Sequence, residues 1–276
     1  MRVSNVSGTI DSPPATLTVN PADIGRLANL SVRAFAGLGD RVLIVGFTLR
    51  GPGTKPLIIR GVGPGLAAFG VAGTLPDPRL GLFVGSNEIS SNNDWLNNDG
   101  RTLGAFPLVS GSRDAVIAEN LSAQGFTTQV SGIGNGTGET IVEIYDGNVP
   151  NSNLRLVNLS TRTQLEDGQR LIVGLTVVGR TPVKFAVRAV GPTLAAFGVT
   201  AAHPDPRFEL YSGATVVDQN DHWQGDDGRA AGAFPLLAGS KDAALVRTLA
   251  PGGYSVHVLG AAGTSGIVLV EVYEMP

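Results

Sequence analysis

Two loops concentrate the oxygen donors of this chain. Asn92-Asn93-Asp94-Trp95-Leu96-Asn97-Asn98-Asp99-Gly100 and Asn220-Asp221-His222-Trp223-Gln224-Gly225-Asp226-Asp227-Gly228 each gather carboxylate and amide oxygens within eight residues and end on glycine. Calcium takes about six to eight hard oxygen ligands. Asn92, Asp94, Asn97 and Asp99, with Asn220, Asp221, Asp226 and Asp227, are therefore candidate metal ligands, and Ca2+ is the one cofactor this chemistry suggests. No glutamate closes either loop as it would in an EF-hand. The same residue types also close tight turns with their own side chains, and both readings stand. Trp95 and Trp223 are the only tryptophans, one in each loop. Exposed, their ring faces are candidate platforms for a sugar; buried, they anchor the loops.

Other chemistry is thinner. A Ser-His-Asp relay needs a histidine, and the chain has three, His203, His222 and His257. No Gly-x-Ser-x-Gly elbow occurs, since Gly263-Thr264-Ser265-Gly266 has the wrong spacing. No pair of histidines has zinc-ligand spacing, and no glycine-rich stretch carries the Gly-Lys-Ser/Thr of a phosphate loop. The absence of cysteine excludes disulfides and thiolate chemistry. Arg60 and Arg188 stand within apolar runs, Leu57-Ile58-Ile59-Arg60 and Phe185-Ala186-Val187-Arg188. A cation so placed needs a carboxylate partner, and Asp77 or Asp114, with Asp205 or Asp242 in the second case, are the candidates. Five Asn-x-Ser/Thr sequons (Asn5, Asn29, Asn120, Asn135, Asn158) carry little weight.

The elements that must position these residues come in duplicate. Arg26-Leu27-Ala28-Asn29-Leu30-Ser31-Val32-Arg33 returns as Arg155-Leu156-Val157-Asn158-Leu159-Ser160-Thr161-Arg162, and Val62-Gly63-Pro64 returns as Val190-Gly191-Pro192. Gly104-Ala105-Phe106-Pro107-Leu108 returns as Gly232-Ala233-Phe234-Pro235-Leu236. Gly46 corresponds to Gly174 and Tyr145 to Tyr273, a constant offset of 128. A period this long is a whole domain rather than a solenoid unit. The three histidines have Leu75, Asp94 and Gln129 at the equivalent places in the first copy.

Alternating runs such as Val268-Leu269-Val270-Glu271-Val272-Tyr273 predict half-buried strands. Seven are expected in each copy: 27–34, 41–49, 56–62, 80–84, 115–121, 126–131 and 140–145, then 156–163, 170–177, 184–190, 208–211, 243–249, 254–259 and 267–273. Single helical turns are expected over 66–69 and 194–197. The fold class is all-β: two tandem homologous β-sandwiches of jelly-roll or immunoglobulin-like type, over residues 26–147 and 154–274. Residues 1–25 form an arm. There Val3–Ile10 and Ala15–Val19 resemble the last two strands of an immunoglobulin-like domain whose other strands are absent.

The repeated phrases R-L-x-N-L-S-x-R, V-G-P-x-L-x-x-F-G-V, N-D-x-W, G-A-F-P-L and the closing G-x-x-L-V-E-V-Y carry a resemblance. They look like a repeat module found at the C-terminal ends of large secreted bacterial proteins, after strings of immunoglobulin-like domains. The closing phrase is also similar to C-terminal β-sandwich modules appended to secreted peptidases. The resemblance implies an accessory part for surface attachment, substrate binding or assembly, with no catalytic residues to transfer.

With net charge −3 and no block of Lys or Arg, nothing points to nucleic acid as partner. No apolar run approaches the ~20 residues of a membrane span. The opening Met1-Arg2-Val3-Ser4-Asn5 lacks the apolar core of a signal peptide, so export is expected to be directed from elsewhere in a longer parent, or this chain is cut from one. The expectation is a non-enzymatic structural, assembly or adhesion module, secreted or on the cell surface. Its partners would be copies of itself or neighbouring domains of a larger surface protein, with strand donation by the arm as the route to assembly. The alternatives are a polysaccharide-binding module and a hydrolase acting on an extracellular polymer.

Overall fold

A computed structural model describes residues 2–11, 24–147 and 153–276. The first copy folds into β3 (Arg26–Ala36), β4 (Leu43–Arg50), β5 (Thr54–Val62), β6 (Pro78–Val84), β7 (Asn87–Asn92), β8 (Ala115–Ser122), β9 (Gly125–Gly132) and β10 (Gly138–Asp146). The second gives β11 (Arg155–Leu165), β12 (Leu171–Val178), β13 (Val183–Val190), β14 (Pro206–Ser212), β15 (Thr215–Asn220), β16 (Ala243–Leu249), β17 (Gly252–Gly260) and β18 (Gly266–Glu274). Short 310 helices at Pro64–Phe69 and Pro192–Phe197 follow β5 and β13. All the strands expected in the two copies are present. β7 and β15 are additional: neither alternates apolar with polar residues, and none of their residues is fully buried.

Each copy is a sandwich of four strands on four, and the two copies share their sheets. One sheet runs β15-β14-β17-β12-β3-β10-β5-β8, the other β16-β13-β18-β11-β4-β9-β6-β7. The joins are β12 against β3 and β11 against β4, both antiparallel. In the first join Gly174 stands opposite Ser31, and in the second Gly46 stands opposite Ser160. These are equivalent pairs, so the copies are related by an internal pseudo-twofold axis. Alternation along the apolar strands then feeds one continuous core that spans both copies, from Leu27 and Phe47 to Phe208 and Val272. β3 and β11, at the middle of the two sheets, face each other across it.

Before the first copy, β1 (Arg2–Asn5) and β2 (Gly8–Asp11) form a hairpin in a sheet of their own. This corrects the single strand expected over Val3–Ile10: the Asn5 side chain accepts a hydrogen bond from the Ser7 N–H (2.9 Å) and turns the chain there. The strand expected at Ala15–Val19 lies outside the described residues. No helix among them is long and apolar enough to cross a membrane.

Candidate functional site

The outer face of each sheet is partly covered by the long loop after β7 or β15, and that loop is held by buried charge. Arg60 and Arg188 are both fully buried. Arg60 Nε lies 3.1 Å from Glu143 Oε2, and Arg188 Nε lies 3.3 Å from Glu271 Oε2. The partners are thus glutamates on the neighbouring strand, not the aspartates expected from the sequence. Register decides this: Glu143 pairs with Arg60, and Glu271 with Arg188, directly across the sheet. Each guanidinium also donates to a loop carbonyl, Phe106 O or Phe234 O at 2.8 Å, and lies over that phenylalanine ring at 4.3 and 4.5 Å. Tyr145 and Tyr273 hydroxyls donate to the same glutamates. Burial pushes the Glu143 and Glu271 carboxyls above their ordinary range, against the pull of the arginines and tyrosines.

The expected aspartates have other work. Asp114 Oδ1 accepts the N–H groups of Gly63 (2.9 Å) and Gly65 (3.1 Å), and Asp242 Oδ1 accepts that of Gly191 (2.7 Å). Asp77 pairs with Arg113 and Asp205 with Lys241.

The two tryptophans belong to the same framework. Both are half-buried against small apolar clusters. Trp95 Nε1 donates to Ser112 Oγ at 3.0 Å, which donates to Asp114; Trp223 reaches Asp242 through Ser240 in the same way.

Of the candidate metal ligands, Asn92 Oδ1 accepts Val116 N–H and Asn220 Oδ1 accepts Ala244 N–H, both at 2.9 Å. Each of these bonds runs from one sheet to the other and closes the outer edge of its sandwich. Asp99 and Asp227 are buried and accept the N–H of Leu108 and Leu236 at 3.1 Å, with Arg101 and Arg229 paired to them. The Arg101 side chain holds the Asp99 carboxyl down to about 2. Burial pushes Asp227 up, but the bonds from Leu236 and Arg229 outweigh it and leave it low. Asp226 closes a turn on Gly228 N–H (3.0 Å). Asp94, Asn97 and Asp221 are exposed.

Among the described residues, one group of three potential metal ligands converges, Asp205, Asp221 and His222, with donor atoms within 4.8 Å of one another. Only Asp221 belongs to the expected set. His203 is buried, and burial lowers its pKa. His257 shares a hydrogen bond with Ser255 Oγ at 3.1 Å and stacks on Tyr211.

A concavity lies elsewhere, where the pseudo-twofold axis emerges. Two cavities of about 510 and 460 Å3 adjoin there, sharing Phe35, Thr163, Gln164 and Gln169. Arg162 lines the first and Arg33, its equivalent, the second; Arg41 and Glu166 add charge to the first, Arg170 and Glu139 to the second. Strand ends position all of these, because β3 and β11 finish at the groove and β4 and β12 begin there. Phe35 is 45% exposed between buried Ala34 and Ala36, as strand alternation requires.

Arg33 approaches Glu139 only to 3.9 Å, while Arg41 and Arg162 have no carboxylate partner among the described residues. A concavity of this size, with one aromatic face, free guanidinium groups and side-chain amides, suits a hydroxyl- and carboxylate-bearing ligand. Sequence reasoning missed it. The one available signal was the last arginine of the repeated R-L-x-N-L-S-x-R phrase, which lines both cavities.

No family model matches this chain, and no curated protein matches it either.

The groove lies far from where the first copy begins and the second ends. Arg155 Nη2 donates to Gly25 O (2.8 Å), just before β3, and pairs with Glu274, the last residue of β18. Met275 N–H then bonds Lys184 O at 2.8 Å. The start of the first copy and the finish of the second therefore meet at the end of the sandwich opposite Phe35. Along β3 that separation is about 30 Å.

Proposed function

We propose that this chain is a non-catalytic attachment or assembly module that works outside the cell, carried by a larger surface protein. One observation carries the reading: the first copy begins and the second copy ends at one end of the sandwich, tied together by Arg155, while the groove opens at the other. A module tethered at its base presents such a groove outward. The resemblance to the C-terminal modules of secreted bacterial proteins supports the setting. Strand donation by the arm belongs to the same proposal, with the outermost strands β7, β8, β15 and β16 as candidate acceptors.

A second reading, polysaccharide binding, is favoured by the groove lining rather than by the tryptophans. Phe35 supplies a face for a sugar ring, and Arg41 and Arg162 supply partners for uronate carboxylates.

Both readings are tested by immobilising the protein through its C-terminal end and passing acidic and neutral polysaccharides over it. Capture of an acidic polysaccharide should fall by at least about tenfold in Phe35→Ala/Arg162→Ala. Capture that ignores this double substitution would remove the groove from the account. If neither polysaccharide is captured and the full chain is monomeric at high concentration, with or without residues 2–20, both the binding and the assembly readings fail.

A further inference from the structure

The first copy buries an amine. On β5, alternation sets Lys55 on the same face as Leu57 and Ile59; on β10 it sets Asp146 with Ile144 and Val142, all core residues. Asp146 pairs with Leu57 across the two strands, so Lys55, two positions along, is its diagonal neighbour on the core face. Leu121 stands directly opposite Lys55 on the other side, on β8. Both polar side chains are 0% exposed, and Lys55 Nζ is in direct contact with Asp146 Oδ2. In the second copy the equivalent positions are Val183 and Glu274, and Glu274 pairs with Arg155 instead.

We propose that Lys55 and Asp146 are joined by an intramolecular isopeptide bond formed after folding. Nζ, as the free amine, attacks Cγ of the carboxylic acid. A new C–N bond forms, one Cγ–O bond breaks, and that oxygen leaves with two protons as water. Amine plus acid gives amide plus water; starting from ammonium and carboxylate the balance is the same, because the pair holds the same atoms. Nothing is oxidised or reduced, and no co-reactant is consumed.

Three features favour the bond. The strand register keeps nucleophile and electrophile in contact, which replaces an encounter in solution by a prepaid arrangement. Exclusion of water withdraws the solvent that would stabilise two ions and also dilutes the water that would reverse the step. The product exchanges a buried ion pair, a poor stabiliser, for a neutral amide. The link joins two residues 91 apart in a chain without cysteine and ties neighbouring strands of one sheet.

The test is the intact mass of the wild-type protein, measured after denaturation. It should lie one water, about 18 Da, below the mass of the sequence, with a branched peptide joining the Lys55 and Asp146 segments after proteolysis. One loss is expected, not two, because the second copy lacks the pair. Lys55→Arg should fold, show the unreduced mass, and melt roughly 10 °C lower. Asp146→Asn should lose ammonia in place of water. Wild-type protein that folds and holds the full sequence mass after prolonged incubation overturns the proposal, whatever the variants do.

Discussion

At the scale of single residues, the dominant feature is that each copy spends one arginine and one glutamate inside a covered sheet face. Removing one partner leaves the other as an unpaired buried charge. Glu271→Ala should therefore cost about 3–5 kcal/mol in urea denaturation, whereas Arg229→Ala, whose guanidinium is mostly exposed, should cost under about 1 kcal/mol. Asp99 sets a pH dependence of known sign. Its carboxyl is held near 2 in the fold, below the ordinary aspartate range, so it adds stability above about pH 4 and loses it as pH falls toward 2. Denaturation midpoints of wild type and Asp99→Asn, followed from pH 6 to 2, should differ most at the upper end and converge at the lower. The duplicated arginines and tryptophans were legible as special in the sequence, but the partners of the arginines were not. Glu143 and Glu271 sit in an alternating Val-Glu-x-Tyr pattern that reads as solvent-facing, and only the folded loop reveals that this face is covered.

Among the elements, the Val-Gly-Pro turn after β5 and β13 shows why a repeated glycine is needed without any unusual φ. A Cβ on Gly63 would lie 2.0 Å from Leu75 O, and one on Gly191 would lie 2.1 Å from His203 O. Backbone meets backbone there, and the same glycines donate their N–H groups to Asp114 and Asp242. Gly191→Ala should destabilise by about 1–3 kcal/mol or more, while Gly253→Ala, which meets open space, should leave the melting temperature nearly unchanged. The apolar strands could be read from alternation alone. β7 and β15 could not, because an edge strand with one face in solvent needs few apolar residues, and Asn92 and Asn220 contribute to closing the sandwich through hydrogen bonds instead. Those two asparagines attracted notice as candidate metal ligands, and their side-chain oxygens accept hydrogen bonds from the opposite sheet.

For the whole molecule, duplication was plain in the sequence, and the sharing of sheets was not. Nothing in a strand's own residues names its neighbour when both candidates carry the same pattern. The two joins pair equivalent residues, so either copy presents both complementary edges, β11 and β12 in the second. Residues 153–276 produced alone should form a symmetric dimer in which β11 of one protomer takes β12 of the other, with Ser160 opposite Gly174. Analytical ultracentrifugation decides this: a folded, strictly monomeric half would mean that the edges are tolerated in water and that the joins add little.

A pairing of separate subunits dissolves on dilution and obliges both partners to carry the same residues. Fused head to tail, the partners are always present at high effective concentration, and the two faces are free to differ. They have already done so: the stacked Tyr211 and His257 of one outer face correspond to Phe83 and Gln129 on the other, and an arginine-lined groove that begins symmetric holds Glu139 on one side and Ile267 on the other. The chain thereby displays two unlike half-sites from a single fold, at a ratio that expression level cannot alter.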